Sequence, residues 1–285
     1  KEMEHILKHS EAVGAIIPWK VRGFNYFQMF QELKPQLPKL RFILIAGEEA
    51  PAGTISLHEI YEQPFETEYP ADYLATTRYN FDEITHIAAT SGSTGVPKLV
   101  NQSDAAIKLS AKDTIRIVEM TRDDVIAIFA PLSGGAANVL GCYCAPLMGA
   151  KVVLSETFEP EGLFRLIEKE RPSIVCSVPT VLVRMLNHRG IDSYDLSSLR
   201  AVFYYGSPIA YHTAMEVEEK LGCRLISRYG AFDIAPVSCT SLHDAREARL
   251  LTAGKPYTGC EISLCNEDGS EARPGMDGEV WVKGP

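Results

Sequence analysis

The segment Thr90-Ser91-Gly92-Ser93-Thr94-Gly95-Val96-Pro97-Lys98 concentrates side chains suited to one task. It places two glycines, two serines and two threonines within six residues and closes on a lysine. Glycines let a backbone approach phosphate oxygens and take positive φ. Hydroxyls donate to the same oxygens, and Lys98 supplies a point charge against a polyphosphate. The combination suits a nucleoside triphosphate. The common P-loop is excluded, because it needs a wider glycine spacing and a Gly-Lys-Ser/Thr ending. Here Gly92 and Gly95 stand close together and Pro97 precedes the lysine. On composition alone a flexible Ser/Gly linker is the alternative, but such a linker seldom joins a clean strand directly to another β-prone segment.

A strand must deliver this loop, and residues 84–90 read as that strand. Alternation then continues: helix 104–119, buried strand 125–130, Gly/Ala-rich helix 136–147 and strand 151–154. Helix 160–170 precedes strand 173–178, and Pro179 opens helix 180–188. Strand 199–206, helix 209–221 and strand 224–229 follow. Near the start, apolar runs at 15–18 and 40–46 flank a helix at 26–33, which Pro35 and Pro38 stop. Residues 48–82 are rich in Pro, Glu, Tyr and Thr with little periodicity, and read as a surface connection with one short helix. The tail turns toward antiparallel β, with 261–265 and 278–282 bracketing the turn-rich 266–270. Alternating strands and helices imply parallel β/α units.

Bulk properties bound the function. The 285 residues suffice for a sizeable core. Apolar residues make up 46% and charged residues 23%, which is ordinary for a globular protein. A formal charge of −9 argues against nucleic acid as the main partner. Seven cysteines are scattered without a C-x-x-C and read as reduced core thiols of a cytoplasmic protein. No Cys/His cluster has zinc-ligand spacing. No stretch reaches the roughly 18 apolar residues of a membrane helix.

The spelling Thr-Ser-Gly-Ser-Thr-Gly-x-Pro-Lys resembles the phosphate loop of the adenylate-forming superfamily. That superfamily, the AMP-dependent acyl/aryl-CoA synthetases and ligases, includes adenylation domains of peptide synthetases and luciferases. Tyr205-Gly206-Ser207-Pro208 is similar to its Gly-Ala-Pro turn, and Arg228-Tyr229-Gly230-Ala231-Phe232-Asp233 to its Tyr-Gly-x-Thr-Glu motif. Gly254-Lys255-Pro256 and the run from Gly278 to Pro285 resemble later family segments. The resemblance covers nearly the whole chain.

It implies an α/β fold, a layered αβαβα-type large domain with mostly parallel sheets and antiparallel β elements toward the C-terminal end. The implied organisation is 1–83, 84–200 and 201–285, the last returning to the first subdomain and starting a β-rich part. It implies that Thr90, Ser91, Gly92, Ser93, Thr94, Gly95 and Lys98 hold the β- and γ-phosphates of ATP. Gly206, Ser207 and Pro208 would line one face of adenine, with Tyr229 on the other. Arg228, Gly230, Ala231 and Phe232 would complete the nucleotide site. A core tyrosine at a strand end is the plainer reading of Tyr229. Asp233, with Thr94, would hold Mg²⁺, and Lys98 and Asp233 would be the catalytic residues. Asp233 is one methylene shorter than the family's Glu and would reach the ion through water. Phe232 lacks the hydroxyl of the family's Thr.

The acyl pocket is expected beside Ser133, Gly134, Gly135, Asn138, Val178, Pro179, Tyr205 and Pro236. A tight turn alone would also account for Gly134 and Gly135. The implied chemistry is in-line attack of a carboxylate on the α-phosphorus of ATP, giving acyl-AMP and pyrophosphate, then thioester formation. Implied partners are the carboxylic acid, ATP, Mg²⁺ and CoA or a pantetheine carrier. No nucleic acid or transmembrane segment is expected, and homodimer formation stays open. A stand-alone adenylation domain loading a carrier protein, and a degenerate non-catalytic nucleotide-binding module, are the competing readings. Family members carry a small C-terminal domain with a catalytic lysine, so this chain is expected to be a poorly active piece of a polypeptide of roughly 500 residues or more.

Overall fold

The apolar runs of the sequence become two compact units, residues 1–102 and 103–285. The computed structural model describes residues 2–76, 80, 83–90 and 95–284.

In the first unit, α1 (Glu2–His9) has acidic residues in its first turn and basic residues in its last, complementing the helix dipole. Strands β1 (Gly14–Ile17), β4 (Phe42–Ile45) and β5 (Ile55–Ser56) pair in parallel. Between β1 and β4 lie the antiparallel pair β2 (Lys20–Val21) and β3 (Phe24–Asn25) and helix α2 (Tyr26–Leu33). The Asn25 side chain caps α2 by accepting from the Gln28 N–H at 3.0 Å. Ile17, Phe30, Leu40, Ile43 and Ile45 close the core of this unit. Two short helices, α3 (Leu57–Glu62) and α4 (Tyr73–Thr76), occupy the segment expected to hold one. Neither buries a residue, so neither leaves an apolar stripe in the sequence. Strands β6 (Ile84–Ala89) and β7 (Leu99–Ser103) pair with each other on either side of the loop.

The second unit is built on a seven-stranded sheet. Helix α5 (Asp104–Ile117) leads to β8 (Val125–Phe129), and β9 (Lys151–Leu154), β10 (Ile174–Ser177), β11 (Ala201–Tyr205) and β12 (Arg224–Ala231) all run parallel to it. Strands β13 (Ala235–Cys239) and β14 (Lys255–Pro256) add to the β12 edge antiparallel. A separate antiparallel pair joins β15 (Glu261–Cys265) and β16 (Glu279–Lys283). The architecture is thus mixed α/β, with a mostly parallel sheet and antiparallel strands toward the C-terminal end, as expected. Residues 201–231 continue the sheet of 125–177, so hydrogen bonding runs unbroken past position 200.

Helices cover both faces. On one, α5 and the helical run of α6 (Gly135–Asn138), a π-helical stretch Val139–Cys144 and α7 (Ala145–Met148) pack on Ile126, Ile128, Cys176, Phe203 and Ile226. On the other, α8 (Pro160–Glu170), α9 (Pro179–Leu186) and α10 (Tyr211–Leu221) pack on Ala127, Phe129, Val175, Val202 and Leu225. Strands buried on both sides read as continuous apolar runs, which is why the sequence reveals them. The π-helical widening was not expected. Pro146 donates no hydrogen bond and its ring crowds the carbonyl of Cys142, so the helix relaxes just upstream of it.

Two buried carboxylates fasten the frame. Asp124 accepts from Thr121 N at 2.7 Å, Ser173 Oγ at 2.5 Å and Arg200 Nη2 at 3.0 Å, tying together the starts of β8, β10 and β11. Glu218 on α10 accepts from Leu225 N at 2.8 Å and Arg246 Nε at 3.0 Å. It also pairs with Arg249 of α11 (Arg246–Leu251).

Candidate active site

The strand order sets where a ligand can lie. From β8 the chain steps outward to β9, crosses back over β8 to β10, and continues to β11 and β12. Such a reversal opens a crevice at the carboxyl ends of the flanking strands. Ser177 and Phe129 are paired there, and the next residues are Val178-Pro179 and the turn leading to Ser133-Gly134-Gly135. The pocket candidates from β8 and β10 therefore flank the switch point.

Tyr205 at the end of β11 joins them. Its hydroxyl accepts from the Ala137 backbone, and burial pushes its pKa up to about 12. Gly134 abuts the same ring: a Cβ there would overlap the Tyr205 hydroxyl and lie 3.1 Å from the Pro131 carbonyl oxygen. Asn138 N donates to Gly134 O at 2.8 Å, fixing the turn against α6. So Gly134, Asn138 and Tyr205 are brought together, with Val178 against both core layers. Pro236 borders a shallow surface cleft lined also by Ser110, Ile234, Tyr257, Thr258 and Cys260.

The adenine-motif candidates lie at the ends of β11 and β12. Gly206, Ser207 and Pro208 are exposed after β11, with Gly206 at φ +94°. Tyr205 pairs with Arg228, so the next residue, Tyr229, stands beside that turn. Tyr229 is 40% exposed and is not a core tyrosine. At Tyr229/Gly230 the register with β13 shifts, and Gly230 faces Pro236. A Cβ on Gly230 would stand 2.5 Å from the Ala235 carbonyl oxygen and 3.0 Å from Pro236 Cα. Only glycine fits this close strand approach. Ala231 and Asp233 are exposed and Phe232 is half-buried. Among the described residues Asp233 makes no hydrogen bond or ion pair, and no three His, Cys, Asp or Glu side chains converge as a metal cluster.

Arg228 behaves differently from its motif neighbours. Strand alternation puts its side chain on the face of Ile226, opposite Tyr229. It is 8% exposed, its Cζ lies 5.7 Å from the centre of the Tyr257 ring, and its Nη1 has no hydrogen-bond partner. Tyr257 was missed in the sequence. A lone aromatic after Gly254-Lys255-Pro256 carries no spacing signal, and only the pairing of β13 with β14 brings it inward.

In the first unit, the neck of the glycine-rich loop is clasped twice. Thr90 N donates to Lys98 O at 2.9 Å, and Lys98 N donates to Thr90 Oγ1 at 3.0 Å. Pro97 is buried, and its carbonyl oxygen lies 3.0 Å from His5 Nε2. The Lys98 side chain is exposed, as is Gly95. Ser91, Gly92, Ser93 and Thr94 lie outside the described residues.

Comparison with known proteins bears on the whole chain. A family model described as AMP-binding enzyme matches residues 1–285. The 2-hydroxy-7-methoxy-5-methyl-1-naphthoate–CoA ligase of Streptomyces carzinostaticus is 27% identical over 100% of this chain and 52% of its own length. The 2,3-dihydroxybenzoate-AMP ligase of Bacillus subtilis is 25% identical over 100% of this chain and 51% of its own. Among solved structures, the anthranilate CoA ligase AuaEII in complex with anthranoyl-AMP matches with a TM-score of 0.88 at 22% identity, covering 99% of this chain and 53% of that one. The chain spans about half the length of the curated relatives it matches. Among the described residues no helix is long and apolar enough to cross a membrane. On the family match across its whole length, the chain belongs to the AMP-binding enzyme family of adenylate-forming ligases.

Proposed function

We propose that the protein containing this chain activates a carboxylic acid with ATP and passes the acyl group to coenzyme A. The observation that carries this reading is the family match over residues 1–285, joined by relatives named as CoA ligases. The acid's carboxylate oxygen attacks the α-phosphorus, the bond to pyrophosphate breaks, and acyl-AMP forms. A thiol sulfur then attacks the acyl carbon, loses its proton and displaces AMP. The substrate is itself the nucleophile in the first step, so positioning and charge neutralisation supply the catalysis.

In this reading the hydroxyls of Thr90, Ser91, Ser93 and Thr94, the backbone at Gly92 and Gly95, and the Lys98 ammonium hold the β- and γ-phosphates. The paired hydrogen bonds between Thr90 and Lys98 support that role, since they fix the mouth of the loop. Gly206, Ser207 and Pro208 contact adenine and exposed Tyr229 stacks on it. Gly134, Asn138, Val178 and Tyr205 line the acyl pocket. Mg²⁺ fits Asp233, because that ion takes few carboxylates and fills its shell from phosphates and water. When bound it would neutralise phosphate charge.

The test is hydroxamate trapping with ATP, hydroxylamine and a carboxylic-acid panel, run on the full-length protein. Hydroxamate with at least one acid supports adenylation and excludes a non-catalytic nucleotide-binding module. None with any acid refutes the reading. A carrier-protein pantetheine is the second acceptor to test, since a relative named as a 2,3-dihydroxybenzoate-AMP ligase is named for its adenylate and not for coenzyme A. Thioester formation with CoA against carrier protein separates the two.

A further inference from the structure

Among the described residues of the second unit two arginines are buried, and they differ in one respect. Arg249 is 5% exposed and pairs with Glu218, with a further bond to Leu225 O at 3.1 Å. Arg228 is 8% exposed and has no carboxylate partner among the described residues. Its Nη1 is buried without any hydrogen bond. The buried carboxylates of this face of the unit are engaged elsewhere. Asp113 accepts from Thr258 N at 2.6 Å and from Arg116, and Asp124 serves Arg200. Its neighbours are neutral: Cys144, Cys176, Tyr205, Cys239 and Tyr257 feel its charge, which opposes the rise that burial imposes on each.

A buried guanidinium without a counter-ion is costly, and the Tyr257 ring 5.7 Å from its Cζ offsets only part of that cost. Guanidinium geometry matches a carboxylate through two parallel N–H donors. Its place in the fold says where that carboxylate comes from. Arg228 pairs in register with Tyr205, so the two side chains leave adjacent strands on the same face. Tyr205 meets Gly134 at the switch-point turn. Arg228 leaves β12 on that buried face, with its Cζ 5.7 Å from the centre of the Tyr257 ring, while the exposed Tyr229 next to it faces the other way. A ligand entering past Gly134 and Tyr205 would present its far end to Arg228, not its reacting end.

We propose that Arg228 is a specificity-determining residue that pairs with a second carboxylate on the acid, making the substrate class a dicarboxylic acid. This rests on the adenylation reading above. Arg228 then contributes selectivity rather than chemistry, since the second carboxylate keeps its charge throughout.

The experiment measures acid-dependent pyrophosphate release by full-length protein on matched pairs: adipate against hexanoate, and the benzene dicarboxylates against benzoate. Wild type, Arg228→Met and Arg228→Lys are compared. The expected result is higher kcat/KM for the dicarboxylate of at least one pair. Arg228→Met cuts that value by about 100-fold and leaves the monoacid within a few-fold, as for loss of one partner of a desolvated charge pair. Arg228→Lys retains part of the preference, and the KM for ATP stays unchanged. Thermal melting of Arg228→Met is no lower than wild type, because an unpaired buried charge has been removed. Monoacids preferred by wild type, or equal losses on both members of a pair in Arg228→Met, overturn the assignment while leaving adenylation standing. No pyrophosphate with any acid overturns the adenylation reading and this one with it.

Discussion

The Tyr205 hydroxyl occupies the space that a Cβ on Gly134 would need, and it is held there by the Ala137 backbone. Glycine at 134 therefore does more than turn the chain after β8. Gly134→Ala is expected to push Tyr205 off its hydrogen bond. The cost is about 1–3 kcal/mol, the range for overpacking a filled site. The KM for the acid should rise while that for ATP holds. Urea unfolding and substrate titrations check both, and an unchanged acid KM would assign Gly134 to turn geometry alone.

Lys98 has its backbone committed to Thr90 and its side chain exposed. Lys98→Ala leaves the neck of the loop intact and removes only the ammonium. ATP affinity should fall by about tenfold or more, the loss expected for a hydrogen bond to a charged group. Calorimetric titration of ATP reads this directly; equal affinity in wild type and variant would refute the role.

Glu218 gathers the Leu225 N–H, Arg246 and the buried Arg249. Glu218→Leu strands Arg249 without its counter-ion and should cost about 3–5 kcal/mol. Arg246 is the more exposed partner, and Arg246→Leu should cost about 1 kcal/mol or less. Denaturant midpoints give both values, and similar losses would contradict the ranking.

Asp124 sets a pH dependence. Burial raises its pKa, but hydrogen bonds from Arg200, Ser173 and Thr121 and the Arg200 charge outweigh it, and the net shift is downward. The unfolded aspartate titrates near ~3.9. Stability from this group is therefore complete above that pH and is lost as pH falls through the lower folded value. Melting should be flat from neutral pH to about 5 for this group and drop below about 4. Asp124→Asn should melt lower at neutral pH with a shallower acid fall; an identical acid limb would exclude Asp124 as its source.

What the sequence reveals follows from burial. Residues 125–129, 174–177 and 201–205 are covered on both faces, so each reads as an apolar run without knowledge of its partners. Helices α3 and α4 bury nothing and leave no stripe. The π-helical stretch depends on Pro146 acting within an already formed helix. The motif spelling brings Arg228 into the adenine group, yet its side chain goes to the other face. That direction is a matter of register with Tyr205, which no local pattern encodes. Tyr257 likewise becomes a neighbour only through the β13–β14 pairing.

The central claim is that this chain belongs to an enzyme that makes an acyl-AMP. ATP–pyrophosphate exchange by the full-length protein, with and without added carboxylic acid, tests it most directly. Exchange that depends on the acid, and falls in Lys98→Ala, is the predicted result. ATP binding without acid-dependent exchange across the whole acid panel would contradict it.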